Sequence, residues 1–320
     1  LFSLLLVIGC ANQSEVAIEV QRTALQPPVA CGGRFVAHDL PHRTAQAVER
    51  VGFFISNGSG LAVNDLDNDG DIDIVLGNIF GPNHIFWNDG NWQFTPEVLF
   101  EGNTQAIIAV DVNADSWLDI VLSTRGGNVE YWQNRGAAHT GIFNRFEQVR
   151  LKGVKSYAYA LDWGDVDGDQ DLDLVTGSYD ASMEKIHGVV FRQSNLAGVH
   201  LFKNQKGEFL STRLAPKAQA LTLQITDLNE DGRADILVGN DFDLRDYVWL
   251  AGDSGWQPAD FFAVTTMSTM SFAPGDINND GRRELFAADM RPYSDAPEIM
   301  NQWQPVMDKM THNMVAGDPQ

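Results

Sequence analysis

A nine-residue pattern, acid-x-(Asp/Asn)-x-Asp-x-x-x-acid, occurs five times in this chain, beginning at Asp65, Asp111, Asp165, Asp227 and Asp276, each copy between two short apolar runs. The intervals are 46, 54, 62 and 49 residues. A repeat of roughly 50 residues restricts the fold to architectures in which one supersecondary unit recurs and buries its faces against its neighbours. The pattern is also chemical. Several carboxylates within a few ångströms repel one another and raise one another's pKa unless a cation neutralises them.

The first copy shows the unit. Leu61-Ala62-Val63-Asn64 leads in, Asp65 to Asp73 is the loop, and Ile74-Val75-Leu76-Gly77 leads out. Short apolar flanks of this kind predict two strands joined by the loop. Ile85-Phe86-Trp87, the turn chemistry of Asn88-Asp89-Gly90-Asn91, and Trp92-Gln93-Phe94 then predict a hairpin. Four short strands per repeat is the content of a propeller blade. The later copies keep the order. In the third, the third strand is either Val189-Val190-Phe191 or His200-Leu201-Phe202, and the fifth has no convincing second hairpin. The expected class is therefore all-β, a β-propeller of four-stranded blades with about five blades present. Trp87, Trp132, Phe202 and Trp249 recur at one place in the unit and are assigned to packing between blades.

Loop positions 1, 3, 5 and 9 carry oxygen side chains, and position 7 offers a backbone carbonyl. The candidate ligands are Asp65, Asp67, Asp69, Asp71 and Asp73 in loop one, and Asp111, Asn113, Asp115 and Asp119 in loop two. Loop three supplies Asp165, Asp167, Asp169, Asp171 and Asp173; loop four Asp227, Asn229, Asp231, Arg233 and Asp235; loop five Asp276, Asn278, Asp280, Arg282 and Glu284. Arg233 and Arg282 enter only through their carbonyls. Hard oxygen donors in a flexible loop, with a final carboxylate able to bind through both atoms, suit Ca2+ better than Mg2+ or a transition metal. Up to five sites are expected. Position 6 needs a left-handed residue: Gly70, Gly232 and Gly281 supply it, whereas Ser116 and Gln170 would adopt it at a cost of about 1 kcal/mol. Loop two is the weakest candidate. An EF-hand is excluded, because loop position 12 holds Leu76, Leu122, Thr176, Val238 and Ala287 instead of an acid.

Composition agrees. The 320 residues carry a net charge of −21, which argues against nucleic acid as a partner, and an apolar content of 44% fits a packed core. Leu1 to Ile8 is apolar but too short to span a bilayer, and Val7-Ile8-Gly9-Cys10 resembles a bacterial lipobox. Residues 1–10 are read as a truncated signal peptide with Cys10 as the lipidation site, residues 11–34 as a tether, and residues 35–320 as the propeller. A Cys10–Cys31 disulfide is the competing reading. The expected location is the cell envelope or exterior, by way of an outer-membrane lipoprotein, with membrane contact only through the lipid.

The repeats resemble the FG-GAP/VCBS repeats of integrin-α-type propellers from about Phe35 to Met290. More closely, Asn57-Gly58-Ser59-Gly60-Leu61-Ala62, the run Met267 to Ser271 with Gly275 to Gly281, and Phe35 to His42 are similar to bacterial relatives of cartilage acidic protein, a group that often carries an ASPIC/UnbV module. The resemblance implies a seven-bladed propeller whose calcium supports rigidity and the binding of proteins or glycans. This chain shows about four and a half blades and no ASPIC/UnbV module, and reads as a fragment.

The functional expectation is an exported, calcium-stabilised binding or adhesion module for a protein or glycan ligand, not an enzyme. The alternatives are a carbohydrate-active lyase or hydrolase on the same scaffold, and a purely structural envelope module. The candidates for catalysis are few: His38 and His42, separated by Pro41; Glu184-Lys185-Ile186-His187; and Asp241 to Asp246. The first pair is read as capping, the other two stretches as solvated loops.

Overall fold

The structure, a computed structural model, describes residues 37–44, 59–138, 141–188, 191, 194–242, 244–263, 265, 268–290 and 296–310. Cys10, Cys31, the signal-peptide reading and the tether lie outside them. The chain divides after Leu40, and every strand and helix among the described residues belongs to the unit from Pro41 onward.

Each complete repeat is one antiparallel meander. The first sheet is β1 (Leu61–Asn64), β2 (Asp73–Leu76), β3 (Pro82–Asn88) and β4 (Phe94–Glu101) in that spatial order. The second is β5 (Thr104–Val110), β6 (Asp119–Thr124), β7 (Val129–Asn134) and β8 (Phe146–Val149), with a short helix α1 (Ile142–Arg145) before β8. The third is β9 (Ala160–Gly164), β10 (Asp173–Gly177), β11 (Val199–Gln205) and β12 (Glu208–Ala215). The fourth is β13 (Ala220–Thr226), β14 (Asp235–Asn240), β15 (Tyr247–Gly252) and β16 (Gly255–Pro258). His200-Leu201-Phe202 is thus the third strand of the third repeat. The long insert of that repeat forms α2 (Asp180–His187), which buries Ser182 and packs Met183 against Tyr159, Tyr179 and Phe191. A fifth sheet has two strands among the described residues, β17 (Thr269–Gly275) and β18 (Glu284–Asp289), and α3 (Pro297–Met310) comes after it.

The first strand of each sheet lies beside the first strand of the next, from β1 through β5, β9 and β13 to β17. This is the radial stacking expected of blades. Three apolar cores fill the seams. Ala62, Val75, Ile85 and Leu99 meet Ile107, Ile120, Leu122 and Phe146 between the first two sheets. Val121 and Tyr131 meet Leu161, Trp163, Leu174, Phe202 and Phe209 in the next seam. Val175, Val199 and Leu201 meet Leu223, Ile236, Val238 and Trp249 in the third. Trp132 stacks on Phe100 across the first seam at 4.9 Å, as its assignment to packing requires.

Burial depends on position in the stack. The second strands β6, β10 and β14 are buried at every residue, because a neighbour covers each face, and their sequences read as continuous β-rich runs. β2 alternates between buried and half-buried, since only one of its faces meets another sheet's core. Correspondingly, Leu61 and Val63 on β1 and Phe286 on β18 are exposed at the two ends of the series.

Two expectations need correction. Asp241 and Asp246 are not part of a solvated loop. Asp241 is buried and accepts hydrogen bonds from the Tyr179 hydroxyl at 2.6 Å and the Ser268 hydroxyl at 2.6 Å. Asp246 accepts from the Asn240 N–H and the Thr269 hydroxyl, and burial pushes its carboxyl up to about 6. Both tie the fourth sheet to its surroundings. Likewise Glu184 to His187 is helical, and His187 lies 3.0 Å from the Gly126 carbonyl in the turn between β6 and β7. His42 bonds the Gly77 carbonyl through Nε2 and His84 through Nδ1, which agrees with its capping role. No helix among the described residues is long and apolar enough to cross a membrane.

Candidate metal centres

Every acidic loop joins the first strand of its sheet to the second, and position 9 is the first residue of the second strand. That placement fixes its chemistry. One carboxylate oxygen of Asp73, Asp119, Asp173 and Asp235 accepts the position-2 N–H, from Leu66, Val112, Val166 and Leu228, at 2.9 to 3.0 Å. The other oxygen reaches across the sheet and accepts an N–H near the end of the third strand. The donors are Asn88, Asn134, Asn204 and Ala251, at 2.7 to 2.9 Å. Glu284 keeps the first bond, from Ile277 at 2.8 Å, and turns its other oxygen to the Asn278 amide at 2.7 Å. The four aspartates are buried. Burial pushes the carboxyls of Asp73, Asp119 and Asp173 up to about 6, against the lowering effect of these same hydrogen bonds, and moves Asp235 in the same direction.

Position 1 organises the turn. Asp65, Asp111, Asp227 and Asp276 accept the N–H groups of positions 5 and 6; Asp165 accepts those of positions 4 and 6. Position 5 in turn accepts the position-7 N–H in all five loops, with Asp71, Trp117, Asp171, Arg233 and Arg282 as donors. The backbone is left-handed at position 6 throughout, including Ser116 at φ 70° and Gln170 at φ 74°. Position 4 is left-handed as well, at Asn68, Ala114, Gly168, Glu230 and Asn279. Two left-handed residues separated by one are what wrap the loop around a centre.

Position 3 divides the loops. In loops one and three it is aspartate, and oxygens of Asp65, Asp67 and Asp73, and of Asp165, Asp167 and Asp173, lie within 4.8 Å of one another. Asp67 Oδ1 is buried without a hydrogen-bond partner. Burial, then the neighbouring Asp69, pushes the Asp67 carboxyl up. In loops two, four and five position 3 is asparagine, whose amide donates to a neighbouring carboxylate: Asn113 to Asp115, Asn229 to Asp231, Asn278 to Glu284. The structure thus gathers three carboxylates in loops one and three, and a mixed carboxylate–amide set in the others. Arg233 pairs with Asp253 at 3.0 Å, and Arg282 lies 3.9 Å from Glu230 of the preceding loop. A set of hard oxygens containing an orphaned, buried carboxylate oxygen fits a calcium-sized cation in loop one, and the parallel donor set fits it in loop three.

Several residues escaped the sequence reading. Asn88 and Asn134 each come 15 residues after position 9, a recurrence the sequence does carry. The Asn134 amide also crosses the first seam to the Leu66 carbonyl at 2.8 Å. Asp162 accepts the Ile225 N–H at 2.8 Å, linking the first strands of the third and fourth sheets, and burial pushes it up to about 6. Arg145 and Lys203 contact Asp67 and Asp167.

Four-stranded antiparallel units in series, each with an acidic loop between its first two strands, define a blade-repeat protein with cation-site geometry. Residues 65–122, 111–176 and 227–287 match the family model of the FG-GAP-like repeat, more than half of the chain, and the chain belongs to that family. It is similar to integrin alpha-7 of Mus musculus, with 28% identity over 142 residues, 38% of this chain and 12% of the integrin. The chain therefore spans about an eighth of that relative's length. Among solved structures, the V. cholerae biofilm matrix protein Bap1 aligns over 61% of this chain and 27% of its own, at 17% identity and a TM-score of 0.34.

Asp173→Asn leaves one of two buried N–H groups facing an amide NH2, so it should destabilise by about 2–3 kcal/mol in urea denaturation even with chelator present. Protons also compete with the cation. A carboxyl with a folded pKa of about 6 binds its proton more tightly folded than unfolded, so without a cation its contribution favours the fold below the ordinary 3.8 and is lost as pH rises through about 6. Calcium needs the deprotonated form. If the loops hold calcium, the affinity measured by chelator competition should fall as pH drops through about 6 and not only near 4.

Proposed function

We propose that this chain is a calcium-stabilised binding module, exported and held at the cell envelope through a lipid on Cys10, that presents blade loops to a protein or glycan ligand. The observation that carries the metal half of this reading is the pair of three-carboxylate clusters, Asp65/Asp67/Asp73 and Asp165/Asp167/Asp173. Loops two, four and five would bind more weakly, since an amide replaces one charge. Membership of the FG-GAP-like repeat family and the likeness to an integrin support the binding half and the extracellular setting.

The reading is of a binder and not of a catalyst. Three buried acids outside the loops, Asp162, Asp241 and Asp246, direct their oxygens to hydrogen bonds that join strands and sheets. They are occupied by structure.

Calcium at a hundredfold excess over its dissociation constant stabilises by roughly 2.7 kcal/mol per independent site. Two such sites should raise the melting temperature by about 10 °C over the chelated protein. Equal melting temperatures in calcium and in chelator would refute the metal reading. The binding half is tested with immobilised glycans and envelope proteins: calcium-dependent capture without turnover is expected, and turnover lost on His187→Ala with calcium binding intact would overturn it.

A further inference from the structure

Loops one and three share a second property. Each has a cation of the protein's own beside its position-3 carboxylate. Arg145 Nη1 lies 3.6 Å from Asp67 Oδ2, and Lys203 Nζ lies 3.2 Å from Asp167 Oδ2. Each cation also rests on a tryptophan face. The Arg145 guanidinium is 4.7 Å from the Trp87 ring centre, and the Lys203 ammonium is 4.8 Å from that of Trp256. The rings are held through their indole N–H groups, Trp87 by Glu97 at 2.9 Å and Trp256 by the Ala234 carbonyl at 3.3 Å.

Each cation makes a contact across a seam. Arg145 ends α1 in the second repeat, while Asp67 and Trp87 lie in the first; Lys203 and Asp167 lie in the third repeat, while Trp256 lies in the fourth. Neither cation is an ordinary surface charge. The Arg145 side chain is 15% exposed and that of Lys203 33%, against 47% and 75% for Arg233 and Arg282 near loops four and five.

We propose that Arg145 and Lys203 are built-in counter-cations that set the calcium affinity of loops one and three and transmit the occupancy of each loop to the seam beside it. The proposal rests on the calcium reading of these loops. A dication among Asp65, Asp67 and Asp73 repels a guanidinium paired with the same Asp67, so binding weakens the ion pair. Arg145 then leans on the Trp87 face, which attracts a cation whether or not the loop is filled. Lys203 does the same between Asp167 and Trp256. The loops with the most carboxylates are thereby kept from binding far more tightly than the three asparagine-containing loops. Filling them also changes a contact between adjacent sheets.

The test is a calcium titration of the full chain by competition with a chromophoric chelator, with intrinsic fluorescence recorded in parallel. Arg145→Gln and Lys203→Gln should each tighten one site by roughly tenfold at low ionic strength, with the gain shrinking as salt is added. Arg145→Lys, which keeps the charge, should stay near the parent affinity. Calcium should change the fluorescence, and the part assigned to loop one should vanish in Trp87→Phe. Calcium binding with unchanged affinity in both glutamine variants would overturn the proposal and leave the calcium reading standing. No calcium binding by the parent or any variant would remove both.

Discussion

The structure turns on a carboxylate gripped from two sides. The position-9 aspartate starts the second strand, accepts an N–H from its own loop, and accepts another from the third strand of the same sheet. A single side chain thereby fixes where the loop begins to turn, where the second strand starts, and how the third strand registers against it. Burial of that carboxylate is unfavourable for its charge, as the rise of Asp73, Asp119 and Asp173 to about 6 records. Two N–H donors offset part of the cost, and a cation in the loop would offset more. The grip thus couples local geometry to metal chemistry: the same carboxylate that orders the sheet lines the loop's interior.

Packing builds the rest from that unit. A sheet pinned at one end still has two faces to cover, and the radial series covers them with three apolar seams. Polar contacts are added at the seams instead of within the cores: Asn134 to the Leu66 carbonyl, Asp162 to Ile225, Arg145 and Lys203 onto neighbouring acids and rings. The acidic loops all lie at the same end of their sheets, between first and second strands, so charge at one loop is felt at the adjoining seam.

Much of this was legible in the sequence because it is local. The loop pattern, the strand on either side and the left-handed requirement at position 6 depend only on residues within about ten of one another. Position 4 was not legible, because Ala114 and Glu230 adopt the left-handed conformation with no glycine to announce it. Asn88 and Asn134 could have been found from their fixed distance to position 9, but Asn204 stands 31 residues from Asp173 because α2 intervenes. Arg145 and Lys203 carry no local signal, since their partners come from other loops and sheets. Asp241 and Asp246 look like a polar loop in the chain and become buried ties only when Tyr179, Ser268 and Thr269 close over them.

Amide hydrogen exchange at the third-strand donors tests the two-sided grip most directly. The N–H groups of Asn88, Asn134 and Asn204 should be protected both in calcium and in chelator, because a carboxylate of the protein itself holds them. Exchange at these three amides as fast as at exposed loop positions, or protection that disappears with the metal, would show that the position-9 carboxylate does not organise the sheet.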